Sequence, residues 1–182
     1  MLQPVDISEA INTTLTASAD LLQASRVTVE TDIEANLPTV MADPFWVSQC
    51  LQNLITNALK YNGGQRWLGI RAVLAPTRSG AEIQIAVSDR GIGIAPSELR
   101  HVFRPFYRSP TVLTTRIQGT GLGLAVAKNV AEAMNGRLSV SSEPGRGSTF
   151  TLHLPCDAAA LARSTEASMA DQRPMSSSSV LP

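Results

Sequence analysis

Asn53-Leu54-Ile55-Thr56-Asn57-Ala58-Leu59-Lys60-Tyr61 sets two carboxamides, an amine and an aromatic ring on a segment that otherwise reads as a core helix. At about 100° per residue, Asn53, Asn57 and Lys60 stand at i, i+4 and i+7 and fall within an arc of about 60°. Val47, Leu51, Leu54 and Ala58 form a separate apolar stripe about a third of a turn away. One face packs and the other lines up polar groups, a row suited to a magnesium-bound polyphosphate. Asp43-Pro44 starts the helix with a capping carboxylate and then proline at the first helical position. Asn62-Gly63-Gly64 stops it after Tyr61.

Upstream, Asp6 or Ser8 caps a helix running to about Ser25, with Ile7, Ile11, Leu15, Leu21 and Leu22 loosely at helical spacing. Val27, Val29, Thr31 and Ile33 alternate as on a half-buried strand. Asn36-Leu37-Pro38 turns the chain, and Thr39 to Met41 can pair briefly as a second strand. Downstream, strands are expected over about Arg66 to Leu74 and Ala81 to Ser88, joined by a hairpin loop over 75–80. Residues 89–121 are rich in glycine, proline and arginine, with one short helix near Pro96 to Val102. Leu122 opens a helix that ends at Asn135-Gly136. Two last strands, Leu138 to Ser142 and Thr149 to Leu154, join through Glu143-Pro144-Gly145-Arg146-Gly147. Helices and strands interleave, yet the hairpins demand antiparallel pairing. The expected fold is an α/β (α+β) two-layer sandwich: a mixed, mainly antiparallel sheet with helices on one face. One domain is expected over residues 1–155. Residues 156–182 read as an Ala/Ser-rich disordered tail with at most a stub of helix near Ala158 to Ala162.

The composition is that of a soluble globular protein: 182 residues, 43% hydrophobic, 16% charged and zero formal net charge. Nothing in it points to a broad nucleic-acid or membrane surface. No apolar run approaches the roughly 20 residues that span a bilayer. Met1-Leu2-Gln3-Pro4-Val5-Asp6 lacks the basic start and apolar core of a signal peptide. Cys50 and Cys156 are far apart, without metal-ligand spacing, and read as reduced thiols of a cytoplasmic protein.

Three further segments carry chemistry. Asp89-Arg90-Gly91-Ile92-Gly93-Ile94 follows directly on a strand. A carboxylate there can accept from an exocyclic amine, and the glycines let backbone pass close to a flat ring. Alone, the motif is equally a glycine-rich strand exit. Gly119-Thr120-Gly121-Leu122-Gly123-Leu124 runs into a helix, where bare backbone amides and the helix dipole suit phosphate oxygens. A Rossmann reading is disfavoured, because this motif follows a long loop instead of a strand. Between them lies Val102-Phe103-Arg104-Pro105-Phe106-Tyr107-Arg108, whose aromatics can pin a loop to the body while Arg104 and Arg108 reach for phosphates.

Asn-x-x-x-Asn, D-x-G-x-G, the aromatic-arginine segment and G-x-G-x-G appear in one fixed order. In that order the chain resembles the catalytic ATP-binding domain of sensor histidine kinases, in the Bergerat-fold superfamily that also holds type II topoisomerases, Hsp90 and MutL. The four segments match the family's N, G1, F and G2 boxes, and the resemblance covers roughly residues 4–155. It implies ATP and Mg²⁺ as ligands. It implies that Asn57 ligates the metal, that Asn53 lies near metal and phosphates, that Lys60 reaches the phosphates and that Tyr61 lies beside the adenine. Asp89 corresponds to the carboxylate that reads the adenine amino group, with Gly91, Gly93 and Ile94 beside it. Gly119, Thr120, Gly121, Leu122, Gly123 and Leu124 correspond to the lid hinge and phosphate cradle. Arg104 and Arg108 fall in the lid, taken as about 90–121, and either is placed to touch the γ-phosphate. Arg90 departs from the acid or asparagine common in relatives and alters charge at the pocket mouth.

Hydrolytic relatives carry a water-activating glutamate at position 53, and an amide cannot accept a proton near neutral pH. The implied activity is therefore transfer of the ATP γ-phosphoryl group to a histidine on a separate dimerisation and phosphoacceptor domain, followed by a response regulator. Neither His101 nor His153 has the acceptor's context, a histidine followed by an acid. The alternatives are a non-catalytic nucleotide-sensing module and an anti-sigma-type serine kinase. The implied location is cytoplasmic, either as a soluble protein or as the cytoplasmic part of a membrane-bound sensor. Residues 103–118 are expected to be mobile without nucleotide, because a glycine-bounded lid has few buried contacts.

Overall fold

The computed structural model describes residues 1–78, 80–113, 117 and 119–156. Cys156, placed in the tail by the sequence reading, closes the last strand of the sheet, and the rest of the proposed tail with its helical stub lies outside the described residues. Five strands form the main sheet: β2 (Thr28–Ile33), β4 (Trp67–Thr77), β5 (Gly80–Asp89), β6 (Arg137–Glu143) and β7 (Gly147–Cys156). Their order is β2-β4-β5-β7-β6, with β2 parallel to β4 and every other pair antiparallel. The helices α1 (Ile7–Ala17), α3 (Pro44–Tyr61) and α5 (Gly123–Ala133) pack on one face. The mixed, mainly antiparallel two-layer sandwich is as expected.

The core lies between the layers and is set by alternation. Ile83, Ile85 and Val87 of β5 face the helices together with Leu68, Ile70 and Ala72 of β4 and Phe150, Leu152 and Leu154 of β7. From the other side, α3 supplies Val47, Cys50, Leu51, Leu54, Ile55 and Ala58, all nearly inaccessible. Asp43 caps α3 as expected, its Oδ1 accepting from Phe45 N–H at 3.1 Å. At the other end of the helical layer, α5 closes as read: Asn135 takes a left-handed φ of 57° and Gly136 N–H returns to the Ala131 carbonyl at 2.8 Å.

Several elements differ from the sequence reading. The first helix breaks at Ser18, and α2 (Ala19–Ser25) buries no residue. Thr14 and Thr16 turn their hydroxyls onto the Ala10 and Asn12 carbonyls, which weakens the helix just before the break. The second short strand, β3 (Val40–Ala42), pairs outside the main sheet with β1 (Gln3–Val5). β4 and β5 pair as far as Thr77 and Gly80, so the expected hairpin loop is mostly strand. Pro76 is tolerated because β2 pairs with β4 only as far as Ala72, which leaves this part of β4 an edge. In place of a helix near Pro96 to Val102 stand three successive turns, with Glu98, His101 and Arg104 N–H each bonding the carbonyl three residues back. A short helix, α4 (Pro110–Leu113), was not expected.

Candidate nucleotide-binding site

The polar face of α3 opens onto a cleft between that helix, the turn after β5 and the loop before α5. Asn53, Asn57, Lys60 and Tyr61 line it from α3. Gly93 and Ile94 line it from the turn, Arg108 from the loop, and Gly119, Thr120, Gly121, Gly123 and Leu124 from the approach to α5. Most of the residues selected from the sequence thus meet in one place. Thr56, Ile92, Val102, Tyr107, Ser109, Val112, Ser148 and Phe150 complete the lining. Thr56 was legible, since it falls about 60° from Asn53 on the helical wheel. Ser148 carried no local signature; it joins the site because Gly147 opens β7 beside the β5 exit.

Asp89 stands behind the cleft, in an adjoining recess that shares Ser148 with it. It extends the buried row Ile83, Ile85, Val87 by one more position and is only 5% exposed. Its Oδ1 accepts from Gly91 N–H at 2.8 Å, while Oδ2 is buried and has no hydrogen-bond partner. Burial holds this carboxyl above its ordinary range, opposed by the Gly91 amide and by the nearby Ser148 amide, which stands outside hydrogen-bonding geometry. Gly91 is required here: a Cβ would sit 1.8 Å from the Tyr61 carbonyl oxygen, to which Ile92 N–H bonds at 3.1 Å. The strand exit and the end of α3 are thereby locked together.

At the opposite end, Arg108 reaches the cleft, its Nη2 donating to the Ile117 carbonyl at 2.5 Å while its buried Nε lacks a partner. Arg104 is exposed and does not line the cleft. The aromatics divide likewise. Phe103 packs edge-to-face on Phe150 at 6.2 Å, whereas Phe106, with φ of 62°, is 74% exposed and pins nothing. Leu122 caps α5 without a side-chain bond, so the amides of the first turn stay available. A Cβ on Gly123 would come within 3.3 Å of Asn53 Oδ1, and one on Gly119 would lie 4.0 Å from Lys60 Nζ. Arg90 does not line the cleft. Its guanidinium lies 4.1 Å over the Trp67 ring, on the sheet's outer face, where Gly69 leaves room for the indole.

Residues 42–158 match the family described as histidine kinase-, DNA gyrase B-, and HSP90-like ATPase. The chain belongs to this family. It is 38% identical over 154 residues to the sensor histidine kinase ZraS of Escherichia coli K12, covering 85% of this chain and 31% of that protein. It is also 38% identical over 151 residues to the sensor-like histidine kinase SenX3 of Mycobacterium bovis, covering 83% of this chain and 36% of that one. The chain thus spans about a third of the length of these relatives. Among solved structures, the mycobacterial sensor histidine kinase MprB aligns with TM-score 0.70 and 26% identity over 86% of this chain and 99% of that one. Full-length ShkA in complex with AMPPNP aligns with TM-score 0.68 and 27% identity, over 85% and 31%.

The ATP of this ATPase family fits the donors and acceptors present. The buried Asp89 Oδ2 acceptor needs a donor, and an amine supplies one. The Arg108 Nε donor and the uncapped first turn of α5 need acceptors, and phosphates supply them. Among the described residues no cluster of three or more His, Cys, Asp or Glu offers a metal site.

Proposed function

We infer that this chain is the ATP-binding catalytic domain of a two-component sensor histidine kinase. It holds Mg·ATP in the cleft and passes the γ-phosphoryl group to a histidine on a dimerisation and phosphoacceptor domain. A response regulator aspartate is the next acceptor. One observation carries the reading: an orphaned buried donor, Arg108 Nε, belongs to a residue lining the cleft, and an orphaned buried acceptor, Asp89 Oδ2, lies in the recess that adjoins it through Ser148, while the helix lining the cleft carries no acid. Asp89 takes the adenine amino group, and Tyr61 and Ile94 flank the base. Asn57 holds Mg²⁺, with Asn53 beside it; the ion would neutralise phosphate charge. Lys60 and Arg108 balance the γ-phosphate, and geometry favours Arg108 over Arg104 for that part.

α3 has no carboxylate along Pro44–Tyr61, so this helix offers no general base to activate water. Positioning and charge neutralisation suffice for transfer when the acceptor is brought in. The bond from the γ-phosphorus to the bridging oxygen breaks, a bond to an imidazole nitrogen forms, and ADP leaves. No helix among the described residues is long and apolar enough to cross a membrane; a cytoplasmic location is part of this reading. The test incubates the chain with γ-labelled ATP and a separately produced phosphoacceptor domain of a relative such as ZraS. Acid-labile, base-stable label on that domain is expected. Acid-stable label would replace the reading with a serine kinase, and nucleotide binding without transfer would leave a sensing module.

A further inference from the structure

The turn that carries Asp89, Gly91 and Gly93 is held by one side chain from the far edge of the sheet. Ser142, near the end of β6, accepts from Ile94 N–H at 2.8 Å, donates to the Gly147 carbonyl at 2.8 Å and lies 2.9 Å from Ser148 Oγ. A hydroxyl has one proton and two lone pairs. With the proton on the Gly147 carbonyl, both lone pairs serve Ile94 N–H and Ser148 O–H, and the group is fully used. Two of its partners, Ile94 and Ser148, line the cleft, and Ser142 itself does not.

Around this hydroxyl the two turns meet backbone to backbone. Gly145 N–H bonds the Ile92 carbonyl at 2.8 Å. At Gly93, φ is 68° and a Cβ would lie 2.0 Å from the Glu143 oxygen. At Gly147, φ is 109° and a Cβ would lie 2.0 Å from the Asp89 oxygen. The glycines permit the approach, but they supply no side chain to fix its distance. The Ser142 hydroxyl bonds both turns.

We propose that Ser142 is a positioning residue for the nucleotide base, setting the spacing between the Ile94 backbone and Ser148. The proposal rests on the nucleotide reading of the cleft. It is tested by calorimetry of Mg·ATP and Mg·GTP on the 182-residue chain and on S142A and S142T, with melting temperatures and amide exchange at Ile94. S142A is expected to bind ATP about tenfold more weakly, to discriminate ATP from GTP less well and to exchange the Ile94 amide faster. Its melting point should change little. S142T keeps the hydroxyl on a strand-forming residue and should restore affinity to within about twofold. Unchanged ATP affinity in S142A, or an S142T as weak as S142A, overturns the proposal. If S142A does not fold, S142C takes its place, retaining the bulk with a weaker hydrogen-bonding group; full ATP affinity there overturns the proposal equally. Absence of binding by the unaltered chain would instead remove the nucleotide reading, and the proposal with it.

Discussion

Asp89 occupies a position on β5 where Ile83, Ile85 and Val87 lead one to expect another apolar side chain. Its charge is buried with one oxygen unpaired. The raised pKa means that the folded state binds a proton more readily than the unfolded one. Ionised Asp89 therefore subtracts from stability, and the loss sets in as the pH rises above 3.8. Asp89→Asn should leave the ligand-free melting temperature unchanged or raise it. The same change should weaken ATP binding by about 10- to 100-fold, since a charge-assisted bond to the base amine is lost. Calorimetry and a thermal melt on the same sample check both halves, and wild-type affinity would remove Asp89 from the site. Residues of this kind were legible as types in a pattern. That Asp89 keeps an unpaired oxygen, and that Arg108 instead of Arg104 faces the cleft, depends on backbone placement that the one-dimensional order does not carry.

Elements were legible where a terminus has its own chemistry. Asp43-Pro44 and Asn135-Gly136 mark helix ends through caps made by the residues themselves, and α3 begins and α5 closes at those signals. β1 left no such mark, because Gln3-Pro4-Val5 becomes a strand only by meeting Val40–Ala42 from across the chain. The outer face of the sheet was equally opaque. There Glu82 of β5 is bonded by Arg137 of β6 at 2.5 and 2.9 Å and lies 2.8 Å from His153 Nδ1 of β7. His153 Nε2 in turn lies 2.8 Å from Ser139 Oγ. Three strands are thus tied through one carboxylate that is only 5% exposed. The Arg137 guanidinium is the main cause that holds Glu82 down at about 2, against burial; His153 and Gln84 add to it. A depressed acid contributes stability that is complete above its unfolded value of 4.5 and is lost as the pH falls towards about 2. Arg137 is largely exposed, so solvent screening reduces the contribution to about 1–2 kcal/mol. Denaturant midpoints measured between pH 5 and pH 2.5 should fall, and Glu82→Gln should flatten that part of the fall. An identical acid slope in the variant would show that other carboxylates carry it.

Across the whole molecule, a two-layer body carries a loop tied at two points. The stems of that loop meet where Phe106 N–H bonds the Gly121 carbonyl at 3.0 Å. Gly121 has φ of 73°, and a Cβ there would lie 2.8 Å from both the Phe106 carbonyl carbon and the Tyr107 carbonyl oxygen. Below that knot, Phe103 anchors on Phe150 of β7; beyond it, Arg108 reaches across the loop to the Ile117 carbonyl. The cleft is lined by groups from both body and loop, so a nucleotide that contacted Asn57 and Arg108 together would bind only with the loop in place. Ligand at ten times its dissociation constant then lowers the opened population about tenfold. Trypsin cleavage after Arg108 should slow by about that factor in Mg·ATP at ten times its dissociation constant and by much less in Asp89→Asn at the same concentration. Equal cleavage with and without nucleotide, in a chain shown by calorimetry to bind it, would mean that the lid does not close on the ligand. Arg108 would then lose its part in balancing the γ-phosphate, while the Asp89 end of the site would stand.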